Sequence, residues 1–359
     1  MIHAMKTLFL FNKVRYGTDD AARVEAGLSN DNVYFGMFRV RQYGIETDFL
    51  EIDSYIPQWL ATFLRRHVLN IWWIHLPLLP VMRRYDVVFS STAYGSLFVK
   101  SLLGMKRPKW VMLDFNISGT IGDAKTVRQK LFRWAVSKCD GIVAISAAEE
   151  KTLKEMFPHL RDTIVFFHEG VDTKYFSPPA ETTAQENVVL SVGLDFSRDF
   201  KTLVEATRDL DVEVVLATKP ERVADLQPLP AHVTARLFSR DEMVAQFTRA
   251  KVVVCGLNMK ADNNDSMGTF SVGEAMSMGK AVIVSKTRSM DSYIEDGVTG
   301  VFVPVRDAPA MRAAIIDLMT NDAERIAIGA RAREFAVAHI EAEIFAKDLA
   351  TFFKKVYSA

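Results

Sequence analysis

Short apolar runs bounded by turn residues recur along the whole chain, and this recurrence limits what it can fold into more than any other feature. In the first half the runs are TLFLF (7–11), TDFLEI (47–52), YDVVFSS (85–91), KWVMLDF (109–115), DGIVAIS (140–146) and TIVFFHEG (163–170). Helix-length segments such as VRQKLFRWAVSK (127–138) and AAEEKTLKEMF (147–157) lie between them, with apolar residues at helical spacing. Strands that alternate with helices predict a parallel sheet covered on both faces.

The stretch FSPPAETTAQEN (176–187) pairs prolines with polar residues and has no apolar period, so it reads as a linker. Beyond it the alternation restarts with NVVLSVGL, VEVVLA, VTARLF, KVVVCGL, KAVIVS and TGVFVPV, and the tail from about 308 reads as helix. A chain of 359 residues exceeds one ordinary core, which also favours two domains. The expectation is an α/β protein of two Rossmann-like, doubly wound parallel-sheet domains. The first spans 1–177 and regains a crossover helix at about 340–359; the second spans 178–339. A ligand cleft is expected between them, at the carboxyl ends of strands.

Charge narrows the partners. Lys plus Arg and Asp plus Glu balance at 44 each, but residues 1–180 hold 23 basic against 18 acidic, and 57–138 hold 13 against 3. An anionic partner for that surface follows. No helix-turn-helix, zinc-finger or aromatic RNA-platform pattern occurs, so nucleic acid is not expected. Cys139 and Cys255 sit beside apolar runs in different halves, which suits buried free thiols in a reducing compartment. With no long apolar segment and no signal-peptide pattern at the start, a cytoplasmic protein is expected.

The stretch SMGTFSVGEAMSMGKAVIVS (266–285) carries the sharpest chemical signal. Gly268 and small hydroxyl residues open a helix whose Gly268, Thr269, Phe270 and Ser271 N–H groups can hold a diphosphate, while Glu274 can accept from a pair of sugar hydroxyls. The alternative is a capped helix whose Glu274 offsets the dipole. In SVGLDFSRDFKTL, Gly193 follows a strand and would let backbone approach phosphate, and Arg198 and Lys201 would supply positive charge; Arg198 could instead pair with Asp195 or Asp199. His168 and Glu169, in FFHEGVD, end a strand toward the expected cleft. No two histidines have ligand spacing, so no metal is expected.

Residues 266–305 resemble the donor-binding signature of retaining glycosyltransferases of family 4, which have the GT-B fold. The resemblance rests on GEAMSMGKAVIVS, a short loop, DSYIEDGVTG and VFVPV in order and spacing, and extends upstream through DGIVAISAAEEKTLKEMFP, EGVDTKYFSP and VVLSVGLDFSRDFKTLVEA. It implies a nucleoside-diphosphate sugar donor, UDP- or GDP-linked, needing no metal or further cofactor, and transfer of a hexose with retention. It implies that Glu274 holds the ribose and that Ser266 stands where the family has a first glutamate near the donor sugar. It makes Arg198 and Lys201 the groups that meet the departing diphosphate. On the acceptor side the family often has a histidine where this chain has VMLDFNISGT; Asp114 there could polarise an acceptor hydroxyl or cap the following loop.

The segment 57–85 combines Trp59, Trp72 and Trp73 with Arg65, Arg66, Arg83 and Arg84. Prolines and polar residues break it too often for a span, and aromatic residues flanked by arginines suit an interfacial helix on anionic lipid. A buried helix with arginines at its ends is the alternative. The reading that follows is a glycosyltransferase acting on a membrane lipid or lipid-linked glycan, peripheral on the inner face of the plasma membrane. Two rivals keep the fold: a nucleotide-sugar epimerase, and a sugar-nucleotide-binding protein without activity.

Overall fold

A computed structural model describes residues 4–11, 22–24, 34–51, 57, 59–60, 79–180, 185–258 and 267–359. The chain divides into two compact units, Met1–Phe167 with Glu343–Ala359, and His168–Ala342. Each contains one six-stranded sheet, parallel throughout. Every apolar run named above forms a strand.

The first unit contains β1 (Met5–Phe11), β2 (Ile45–Glu51), β3 (Val87–Ser90), β4 (Lys109–Asp114), β5 (Gly141–Ala144) and β6 (Ile164–Phe166). Their order across the sheet is β2-β1-β3-β4-β5-β6. Every residue of β3 and β5 is buried, as expected of strands covered on both faces. The last helix, Ala342–Ser358, belongs to this unit: Phe353 meets Phe9 and Phe89 edge-on at 6.1 and 5.3 Å, and Phe352 meets Phe167 at 6.1 Å. Gly141 makes room for it, since a Cβ there would stand 2.7 Å from Phe352 Cζ.

The second unit contains β7 (Glu186–Val192), β8 (Glu213–Ala217), β9 (Val233–Arg236), β10 (Ala250–Cys255), β11 (Ala281–Ser285) and β12 (Val301–Val303), ordered β12-β11-β10-β7-β8-β9. Successive residues of β7 feed opposite cores: Val188 and Leu190 pack with Val253, Met276 and Ile340, whereas Val189 packs with Leu216, Ile283 and Ile315. Strand order reverses at β7. The chain leaves β7 toward β8 on one side and later returns through β10 on the other, which makes the carboxyl ends of β7 and β10 the switch point of the sheet.

Residues 168–177, placed in the first domain by the position of the proline-bearing stretch, pack with the second unit. The Val171 N–H donates to the Ile340 carbonyl and its own carbonyl accepts from Ala342, while Phe176 packs edge-on against Phe247. Apolar contacts made by Val171 and Phe176, rather than the prolines that follow, decide which unit holds this segment.

Candidate donor site

The switch point between β7 and β10 is built around Arg198. The segment Ser197–Asp199 lies against the loop after β10: Arg198 bridges Leu257, the Asp199 N–H donates to the Gly256 carbonyl at 2.9 Å, and the Asn258 N–H donates to the Ser197 carbonyl at 2.6 Å. This pairing turns the Arg198 side chain inward, where only 5% of it stays exposed. Its Nε donates to Asp195 Oδ2 at 3.1 Å, Nη1 to Cys255 Sγ at 2.7 Å, and Nη2 to Ser271 Oγ at 2.9 Å. Asp199 does not pair with Arg198; it caps the helix Phe200–Ala206 by accepting from the Thr202 N–H.

Two glycines make the space. A Cβ at Gly193 would lie 1.9 Å from Arg198 Nε, and one at Gly268 would lie 2.8 Å from Cys255 Sγ and 3.0 Å from Arg198 Nη1. Gly268 is also left-handed at φ +99°, where an L side chain is strained. The sequence suggested that Gly193 lets a ligand phosphate approach the backbone; the structure gives that space to the guanidinium.

Gly268 opens the helix Thr269–Ser277 without a side-chain cap. The guanidinium therefore meets the first turn of a helix, the positive end of its dipole. Two positive ends together are unfavourable without an anion. Asp195 supplies one negative charge. Burial works to lower the Arg198 pKa, but its partners outweigh that effect and hold it above its ordinary value. Burial pushes the Cys255 thiol up, which leaves it neutral near pH 7 and makes Asp195 the formal counter-charge. Exposed Lys201 begins the neighbouring helix and adds a second cation. The site thus sets a buried guanidinium, with Asp195 as its counter-charge, against the opening of a helix.

Other residues take definite places. Thr269 is buried and donates to Glu169 Oε2 at 2.5 Å, so its hydroxyl is engaged within the protein. Glu274 follows in the same helix and is half-buried. His168 Nε2 lies 2.8 Å from the Ser292 carbonyl and the ring packs on Tyr293 and Phe335; burial lowers its pKa, the mark of a packed histidine. Leu194 and Phe196 stand exposed on the β7 loop, held by Arg222, whose Nε donates to the Leu194 carbonyl at 2.7 Å and whose guanidinium covers the Phe196 ring. Ser266 lies outside the described residues. Among the described residues no group of three His, Cys, Asp or Glu side chains could hold a metal ion.

The structure brings Gly193, Arg198, Gly268 and Ser271 into direct contact. Sequence reasoning weighed Asp195 as a partner of Arg198 but missed Cys255, and it did not foresee the contact of the Ser271 hydroxyl with the guanidinium. Asp114 belongs to the first unit and ends β4 fully buried. Its Oδ1 accepts from the Asn116 and Ile117 N–H groups at 2.9 and 2.6 Å, so of its two readings the structure displays the loop cap. Trp59 is 72% exposed and Arg83 and Arg84 are exposed; Arg65, Arg66, Trp72 and Trp73 lie outside the described residues. No helix among the described residues is long and apolar enough to cross a membrane.

The profile of the family described as Glycosyl transferases group 1 matches residues 180–335. That stretch is similar to the group 1 glycosyl transferases. It contains Gly193, Arg198, Cys255, Gly268 and Glu274. The chain is 24% identical over 249 residues to the alpha-maltose-1-phosphate synthase of Mycolicibacterium smegmatis, a match covering 61% of this chain and 62% of that protein's length. Among solved structures it resembles the sucrose-phosphate synthase of Thermosynechococcus elongatus, with TM-score 0.73, 17% identity and 99% of each chain covered. It also resembles Anabaena HepE in complex with UDP-glucose, with TM-score 0.70, 14% identity, and coverage of 98% and 100%. The fold is GT-B, as the sequence resemblance implied.

Proposed function

We propose that the chain is a retaining hexosyltransferase that moves a sugar from a nucleoside diphosphate to a hydroxyl of a membrane lipid or lipid-linked glycan. One observation carries the donor half of this reading: the buried Arg198, wedged between Gly193 and Gly268 and bonded to Ser271 at the opening of the helix Thr269–Ser277. When the bond from the anomeric carbon to the diphosphate breaks, negative charge grows on the departing phosphate. A fixed cation beside a helix N-terminus stabilises that charge without reorganising. Lys201 lies one helical residue on from the same loop, and Glu274 offers a carboxylate for the ribose hydroxyls. Retention means that the acceptor oxygen arrives on the face the diphosphate leaves.

UDP-glucose is the first donor to test, because the similar HepE was solved with it. The first unit, with its basic excess over 57–138, takes the acceptor in this reading, and the enzyme works at the inner face of the plasma membrane. No metal or further cofactor enters the proposed step.

The deciding experiment measures release of UDP and GDP from a panel of nucleotide sugars, with and without anionic vesicles containing diacylglycerol, for the wild type and Glu274→Ala. Release that depends on lipid and collapses in the variant is expected. Donor binding without release under any condition would instead make the chain a sugar-nucleotide-binding protein.

A further inference from the structure

The first unit carries an apolar stripe that its own core does not use. On the helix Val127–Val136, Ala135 and Val136 are buried and Phe132 stacks on Tyr94 at 5.1 Å. Val127, Leu131 and Trp134, spaced i, i+4 and i+7, form a separate stripe and are 74%, 45% and 38% exposed. Trp134 meets Phe98 edge-on at 5.2 Å. One turn beyond Phe98 the neighbouring helix Tyr94–Leu102 closes on Leu102 and Leu103, which are 68% and 59% exposed. The stripe therefore passes from one helix to the next.

Charge around it is mainly basic, with Asp123 and Glu155 the exposed carboxylates nearby. Lys106, Arg128, Lys130, Arg133 and Lys138 are exposed, and the helix Val127–Val136 contains no acidic residue. The carboxylates that flank the helix in sequence are engaged: Asp123 with Lys125 at 2.9 Å, and Asp140 with Lys109 at 3.3 Å and Lys100 at 3.8 Å.

We propose that this two-helix face docks the protein on an anionic lipid bilayer, with Val127, Leu131 and Trp134 entering the headgroup boundary and the basic rim meeting anionic headgroups. Pairing with a second copy through the same face would set one basic rim against another, which electrostatics disfavours. The proposal deepens the lipid-acceptor reading and rests on it for its purpose; its evidence lies in a different unit from the donor site and outside the segment 57–85.

The test is co-sedimentation with vesicles of phosphatidylcholine alone, or of phosphatidylcholine and phosphatidylglycerol in equal parts. It compares the wild type, the pair Leu131→Ser with Trp134→Ser, and the pair Lys130→Glu with Lys138→Glu. Expected are binding to the anionic vesicles only and about tenfold weaker binding in either pair, with salt releasing the wild type. Thermal melting followed by circular dichroism is measured on the same proteins and is expected to be unchanged, which shows them folded. A chain that binds anionic vesicles in this pattern yet never releases UDP would sink the proposed function and leave the docking face standing. Equal binding by all three proteins, no binding to either vesicle, or a dimer in sedimentation velocity that Leu131→Ser dissociates would each overturn the proposal.

Discussion

The two units share an architecture and differ in what stands at the ends of their strands. In the second, the switch point after β7 and β10 holds a buried cation fixed by three side chains and two glycines. In the first, the polar groups at the matching ends serve the fold: Asp114 caps a loop, Ser90 accepts from the Trp110 indole at 3.0 Å, and Ser146 caps the helix Ala147–Met156. A doubly wound sheet supplies crevices in both units. Only in the second do the described residues build a preorganised charge there. The fold offers the place, and side chains decide the chemistry.

The largest test of this contrast removes the charge. Arg198→Met leaves half-buried Asp195 without its cation, though still held by Ser197, and should lower stability by about 2–3 kcal/mol. Adding Asp195→Asn should restore most of the melting temperature. Release of nucleoside diphosphate should stay depressed in both, on the order of 10²–10³-fold below wild type. Recovery of activity with stability would show that Arg198 holds the loop and does not act on the ligand.

A glycine pair sharpens the comparison. Gly193→Ala pushes a methyl group onto Arg198 Nε, while Gly141→Ala in the first unit pushes one onto Phe352. Each should destabilise by about 1–3 kcal/mol through overpacking. Displacing the cation should also slow donor turnover by about 10²-fold, whereas the folded fraction of Gly141→Ala should turn over normally. Similar kinetics in the two variants would remove the distinction drawn between the units.

Glu274→Gln should have a smaller effect. The amide keeps the shape but loses a charge-assisted hydrogen bond, which corresponds to about a tenfold rise in KM for the nucleotide sugar. Thermal melting should hardly change, since the side chain is half-buried. An unchanged KM would return Glu274 to the role of offsetting the helix dipole.

The contrast also explains what could be read from the sequence. The strands were legible because residues such as Val87–Ser90 and Gly141–Ala144 are buried throughout, and uninterrupted apolar runs between turns carry that information locally. Arg198 could be singled out from a spaced motif. The Arg198 assembly was not legible, because Cys255 and Ser271 stand 57 and 73 residues away and meet it only once β7 and β10 are neighbours. The demand on Gly193 was misread for the same reason: a glycine after a strand announces a close approach without saying what approaches. The unit boundary was displaced because prolines are visible in sequence, whereas the packing of Val171 and Phe176 is not.

Asp114 provides the smallest expected effect and the most direct check on the first unit. Asp114→Asn keeps an oxygen that can accept from the Asn116 and Ile117 N–H groups but removes the charge that strengthens those bonds. Stability should fall by about 1 kcal/mol, the usual scale for weakening a cap. Turnover with a saturating lipid acceptor should match the wild type, because a side chain with no exposed surface cannot reach an acceptor hydroxyl. A collapse of turnover at an unchanged melting temperature would make Asp114 the acceptor-side base and give the first unit a built site of its own.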